Sequence, residues 1–151
     1  MTFNPVAALN VIECRNIILN NKPSAIDLGS QTASIDNTFI QNLFVQNKTL
    51  NKFQKKNLLE LSKKDSFETK DFYISVGFND YKSIDINGAY ESFQFDLNKN
   101  IYEKYNFDKK YDLVINNGTG EHVFNQYALF QNFHNLTKIS GIMLNIVPFI
   151  D

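Results

Sequence analysis

The stretch Lys110–Gln126, KYDLVINNGTGEHVFNQ, constrains the fold most, because it runs a buried strand into a polar, glycine-containing turn and then into a helix. Leu113, Val114 and Ile115 form a continuous apolar run, which suits a strand covered by helices on both faces. The run stops at Asn116-Asn117-Gly118. From Val123 the spacing becomes helical, with Val123, Tyr127, Phe130 and Phe133 predicted on one side. Glu121 and His122 are thereby expected in the first helical turn, at the carboxyl end of a strand, where open α/β sheets bind their ligands.

Other segments repeat this alternation. Asn4 and Pro5 open an amphipathic helix expected over 5–19, and Ser24–Leu28 reads as a short buried strand followed by Gly29-Ser30-Gln31-Thr32-Ala33. Two helices are expected between about 36 and 66, and a third over 69–76 that Gly77 terminates. Strands are predicted at 81–86, 91–95, 111–116 and 142–147, with a short helical piece at 101–105. Alternating strands and helices specify an α/β, doubly wound, mostly parallel sheet. No repeat or linker divides residues 1–151, so one domain is expected.

A net charge of −1 argues against a chain built to coat nucleic acid or an anionic membrane. No segment is long and apolar enough to span a bilayer, and the single cysteine, Cys14, fits a reducing compartment as a core residue. A cytoplasmic protein is the expectation. The two histidines, about 18 Å apart if the intervening residues were helical, match no zinc spacing, so no metal is expected.

Three predicted strands end in aspartate: Asp27, Asp85 and Asp96. In a doubly wound sheet those ends cluster beside the topological switch point. A carboxylate at the second strand end can accept ribose hydroxyls, and one at the third can read an adenine amino group. The plain alternative is that Asp follows strands as a turn former and helix cap.

Taken in order, these segments resemble the motifs of class I S-adenosylmethionine-dependent methyltransferases. Ser24-Ala-Ile-Asp-Leu-Gly-Ser-Gln-Thr32 is similar to the family's first motif, Ser83-Ile-Asp-Ile86 to the second, Phe95-Asp-Leu97 to the third and Tyr111-Asp-Leu-Val-Ile-Asn-Asn-Gly118 to the fourth. His134–Leu144 resembles the turn into the fifth strand. The resemblance implies a Rossmann-like sheet of about five strands in the order 3-2-1-4-5, with residues 34–66 as a helical insertion or lid after the first strand. It implies S-adenosylmethionine or S-adenosylhomocysteine held by Asp27, Gly29, Ser30, Gln31, Thr32, Asp85, Ile86, Asp96, Leu97, Asn117 and Gly118. The first loop keeps Gly29 but has Ser30, Gln31 and Ala33 where the family often has further glycines. The family also continues through sixth and seventh strands, so truncation after the fifth is expected.

The implied reaction is methyl transfer to a small-molecule acceptor such as a sugar or another hydroxyl-bearing metabolite. His122 is the candidate base and Glu121 its orienting partner. Glu121 in a first helical turn equally serves the helix dipole alone. The competing expectation is a non-catalytic nucleoside-binding or assembly module. In that case the apolar edge at 142–150 is open to pairing in a homodimer.

Overall fold

The computed structural model describes residues 3–30, 32–33 and 36–147. Helix α1 (Pro5–Ile17) starts where Asn4 accepts a hydrogen bond from the Ala7 amide at 3.0 Å, with Pro5 supplying a helical φ at a position that needs no N–H. Strand β1 (Ser24–Leu28) follows, then β2 (Thr32–Ala33). Helix α2 (Asn37–Gln46) is capped by Asp36, and α3 (Lys52–Leu61) opens with a reciprocal box between Asn51 and Gln54. Next come β3 (Phe67–Glu68), α4 (Thr69–Ser75) and β4 (Asp80–Ile84). Gly77, at φ 101°, makes the expected turn out of α4. Helix α5 (Ile101–Tyr105), β5 (Tyr111–Asn117), α6 (Gln126–Leu136) and β6 (Thr137–Ile146) complete the described chain.

The main sheet is parallel throughout, in the order β4–β1–β5–β6. Strand alternation divides its side chains between two layers. Ala25, Tyr81, Leu113 and Ile115 pack with buried residues of α1 to α4, while Ile26, Leu28, Ile84 and Val114 pack with Ile101 of α5 and Leu129, Phe133 and Leu136 of α6. Helices therefore cover both faces, an arrangement compatible with a Rossmann-like fold. β2 and β3 form a separate two-residue antiparallel ladder.

Several expectations need correction. Among the described residues the main sheet has four strands, not about five, and its order β4–β1–β5–β6 lacks the outer strand of the expected 3-2-1-4-5. The strand expected at 91–95 is reduced to one parallel bridge, Ile84 to Phe93. Left-handed φ values at Gly88, Tyr90 and Glu91 bend the chain before it, and Phe93 and Phe95 stack on each other and against Phe107 and Tyr105 instead of extending a ladder. Within the expected 34–66 insertion, Ile40, Leu43, Leu50, Leu58 and Leu61 are buried in the same core as α1 and α4.

Helix α6 begins at Gln126, not Val123. Its buried stripe is Ala128, Leu129, Asn132, Phe133 and Leu136, so Tyr127 and Phe130 face outward, at 78% and 54% exposure. Asn132 explains that rotation: its side chain accepts from the Ile101 amide and donates to the Leu97 and Lys99 carbonyls, tying α6 to the start of α5. At the opposite end of the strands, Asp112 gathers the amide and hydroxyl of Ser24, the Asn20 amide and the Lys138 ammonium at 2.8 to 3.0 Å. Burial alone would raise that carboxyl, but these four donors together hold it at about 2.

Candidate functional site

The carboxyl end of β4 and the turn after β5 open on a crevice of about 180 Å³. Ile84, Asp85 and Ile86 form one wall, Phe95 to Asn98 a second, and Thr119, His122 and Val123 a third. Each wall has a local cause. Asp85 Oδ2 accepts from the Ser30 amide at 3.1 Å and its hydroxyl at 2.9 Å, while Oδ1 accepts from the Asn87 amide, so one carboxylate fixes the loops after β1 and β4. Asp96 Oδ1 accepts from the Asn98 amide in an Asx turn, and the Asp96 amide donates to the Tyr105 hydroxyl. These bonds to Asn98 hold the Asp96 carboxyl below its ordinary value.

The third wall is built by Asn116. Its Oδ1 accepts from the Thr119 and Gly120 amides, and its Nδ2 donates to Asn145 on β6. The chain then makes a single 3₁₀ turn, Gly120–His122, in place of the expected helical turn. Gln126 Nε2 closes it by donating to the Gly120 and Val123 carbonyls. Gly29 touches the same wall: a Cβ built there would lie 2.1 Å from Thr119 Oγ1.

The crevice thus brings together Asp85, Ile86, Asp96, Leu97 and His122 from the expected set. Ser30 is joined to it through Asp85, and Gly29 stands behind Thr119. Others lie elsewhere. Asp27 is 5% exposed and faces the α1 to α4 layer, where it accepts from Tyr81 at 2.8 Å and Tyr73 at 3.1 Å. Thr32 pairs with Glu68 in the small ladder. Asn117 is buried at the end of β5, and the Gly118 amide donates to the Ile146 carbonyl. Glu121 is exposed and does not line the crevice. Gln31 lies outside the described residues.

Burial pushes the Asp27 carboxyl up to about 7 despite the two tyrosine donors. The same burial, with the neighbouring carboxylate, moves the Tyr73 and Tyr81 hydroxyls well above their ordinary value. Asp27 is therefore a core group and not a crevice ligand.

Sequence reading passed over Asn98 and Thr119 as members of the site, and it placed the Asn116-Asn117-Gly118 turn along the crevice without singling out Asn116. Asn98 carried a readable signal, since Asp-x-Asn is an Asx-turn pattern. Asn116 carried none, because which asparagine of the pair faces α6 depends on strand register. Among the described residues, no three His, Cys, Asp or Glu side chains gather as a metal site, and no helix is long and apolar enough to cross a membrane. No protein-family model, curated protein or solved structure matches the chain.

Proposed function

We propose that the crevice binds the nucleoside end of S-adenosylmethionine and that the protein transfers a methyl group to a small hydroxyl-bearing acceptor. The observation that supports this reading best is the pairing of Asp96 with Leu97. Asp96 Oδ2 has no protein donor, and the Leu97 amide no protein acceptor, among the described residues. Side by side they offer an acceptor and a donor, which is what the amino-bearing edge of adenine requires.

The surrounding residues fit the same group. Ile86, 71% exposed, and Val123 supply apolar contact, and Asp85 retains lone pairs for ribose hydroxyls beyond the three donors it already serves. A volume of about 180 Å³ is below the ~300 to 1,000 Å³ of whole-ligand pockets, so the base is enclosed and the remainder lies along the open rim toward Ser30. Bound there, the cofactor supplies a methyl group on a positively charged sulfur. His122, exposed at the rim, would take the proton of the acceptor hydroxyl as the methyl group passed from sulfur to the acceptor oxygen.

Calorimetric titration with S-adenosylhomocysteine, with NAD as control, tests the reading. Selective binding is expected, weakened about tenfold by Asp96→Asn, the loss of one charge-assisted hydrogen bond. Asp96→Asn keeps an oxygen for the Asx turn, so the variant reports on the ligand rather than the loop. Unchanged affinity would remove Asp96 from the site, and a folded protein that ignores the ligand would remove the reading.

One observation favours the alternative of a nucleoside-binding or assembly module without transfer. β6 is an edge strand, and residues 139–147 carry no charge to discourage pairing. Its Met143 is 53% exposed and its Ile139 99%, and Val147 just beyond it is 51% exposed. An uncharged edge meets no electrostatic repulsion from its own copy, so this reading expects a symmetric dimer with β6 strands antiparallel. Sedimentation should show a dimer that Met143→Lys dissociates; a monomer at high concentration would dismiss it.

A further inference from the structure

Phe124 is used neither by the core nor by the crevice. It is 98% exposed, yet the backbone around it is braced from three directions. Asn116 holds the Thr119 and Gly120 amides, Gln126 holds the Gly120 and Val123 carbonyls, and Asn125 is tied to Asn98 by its amide at 2.9 Å and its side chain at 3.2 Å. Val123 is buried on one side and Asn125 caps α6 on the other, so the backbone that carries the phenyl ring is fixed at both neighbours.

Beside the ring lies an open hollow of about 520 Å³, lined by Asp96, Asn98, Lys99, Phe124, Asn125 and Gln126. Asp96 and Asn98 also line the nucleoside crevice, so the two spaces adjoin.

We propose that this hollow is a second binding subsite, which takes a neutral aromatic ring bearing a hydroxyl and stacks it on Phe124. Phe124 is the one apolar side chain in the lining, and a single flat face suits a planar ring that needs apolar contact on one side only. Charges of both signs, Asp96 and Lys99, disfavour a ligand with net charge of either sign. A phenolic hydroxyl both donates and accepts, and so meets both. Naming this ligand as the methyl acceptor rests on the methyl-transfer reading, because His122 is only two residues from Phe124; the binding of the ring does not.

The test is a chemical-shift titration of the ¹⁵N-labelled protein with p-cresol and, separately, with its saturated counterpart 4-methylcyclohexanol. Both are run with and without S-adenosylhomocysteine. p-Cresol is expected to move the amides of 96–99 and 123–126 saturably, with the saturated alcohol about fivefold weaker. Phe124→Ala should weaken p-cresol by a similar factor, Phe124→Tyr should restore it, and neither should change the thermal midpoint or the affinity for S-adenosylhomocysteine. Equal affinity for the two probes, indifference to Phe124→Ala, or shifts confined to other residues would each overturn the subsite. Binding of p-cresol without binding of S-adenosylhomocysteine would uphold the subsite and dismiss the nucleoside reading; the reverse pattern would do the opposite.

Discussion

Asp27→Asn is expected to flatten the pH dependence of stability and to make the protein more stable than the parent at pH 8. Asp27 is enclosed by the α1 to α4 layer, and among the described residues its carboxylate accepts from the hydroxyls of Tyr73 and Tyr81 alone. Folding raises its pKa from 3.8 to about 7. The sign follows from proton counting. Between those two values the unfolded chain has released the proton while the native state retains it, so each added pH unit favours unfolding by about 1.36 kcal/mol. The stability associated with the neutral acid is fully present below about pH 4 and lost by about pH 7. The total is roughly 4 kcal/mol, an order-of-magnitude figure for a single buried carboxyl. Asparagine keeps an oxygen for one tyrosine and offers an N–H to the other without ionising. Denaturant unfolding of both proteins from pH 4 to pH 8 provides the check, read as the difference between them, so that contributions common to both cancel. Parallel curves would mean that Asp27 is ionised and held by its tyrosines throughout.

That aspartate also shows where the sequence was and was not legible. The Asp27-Leu28-Gly29 pattern invites a cofactor role, but strand alternation sends residues 25 and 27 to one face and 26 and 28 to the other. Tyr73 and Tyr81, which decide the matter, are 46 and 54 residues away. Features governed by neighbours read well: the Asn4-Pro5 start of α1, the apolar run of β5 and the Gly77 turn all rest on local stereochemistry. Features governed by remote packing did not. Phe93 and Phe95 have good strand propensity, yet stacking with Tyr105 and Phe107 and the bend at Tyr90 and Glu91 leave a single bridge. The start of α6 was misplaced for a similar reason. Val123 fits a helical period, but it is buried in the crevice wall, and Gln126 spends its side chain closing the turn before it. At the crevice itself Asp85 was legible because it follows a strand and His122 because it lies between a strand and a helix. Asp96 was reached through an expected strand that forms only one bridge, and the asparagines that position these residues were not singled out.

Gly29→Ala is expected to cost about 3 kcal/mol, and a substitution at Thr119 should recover part of it. Two penalties combine at this glycine. Its φ of 118° lies where an L side chain is strained, which costs roughly 1 to 2 kcal/mol. The added Cβ would also fall 2.1 Å from Thr119 Oγ1 and 3.1 Å from Thr119 Cβ. Threonine is β-branched and stiff, so relief by rotation is limited, and overpacking of this kind costs about 1 to 3 kcal/mol. Thr119→Ala removes Oγ1 but not the φ strain. A double-mutant cycle should therefore give a coupling of about 1 to 2 kcal/mol, with the remainder persisting in the double variant. Strict additivity would show that the loops after β1 and β5 do not touch. The contact matters for binding as well as for stability, because Thr119 forms a crevice wall and Gly29 lets the wall stand this close to β1. If the proposed ligand extends past Thr119 toward Ser30, Thr119→Ala should widen that path and leave the Asp96 end unaltered. The affinity of adenosine should then stay constant while that of S-adenosylhomocysteine changes. Equal changes for both would place the whole ligand on the Asp96 side of Thr119.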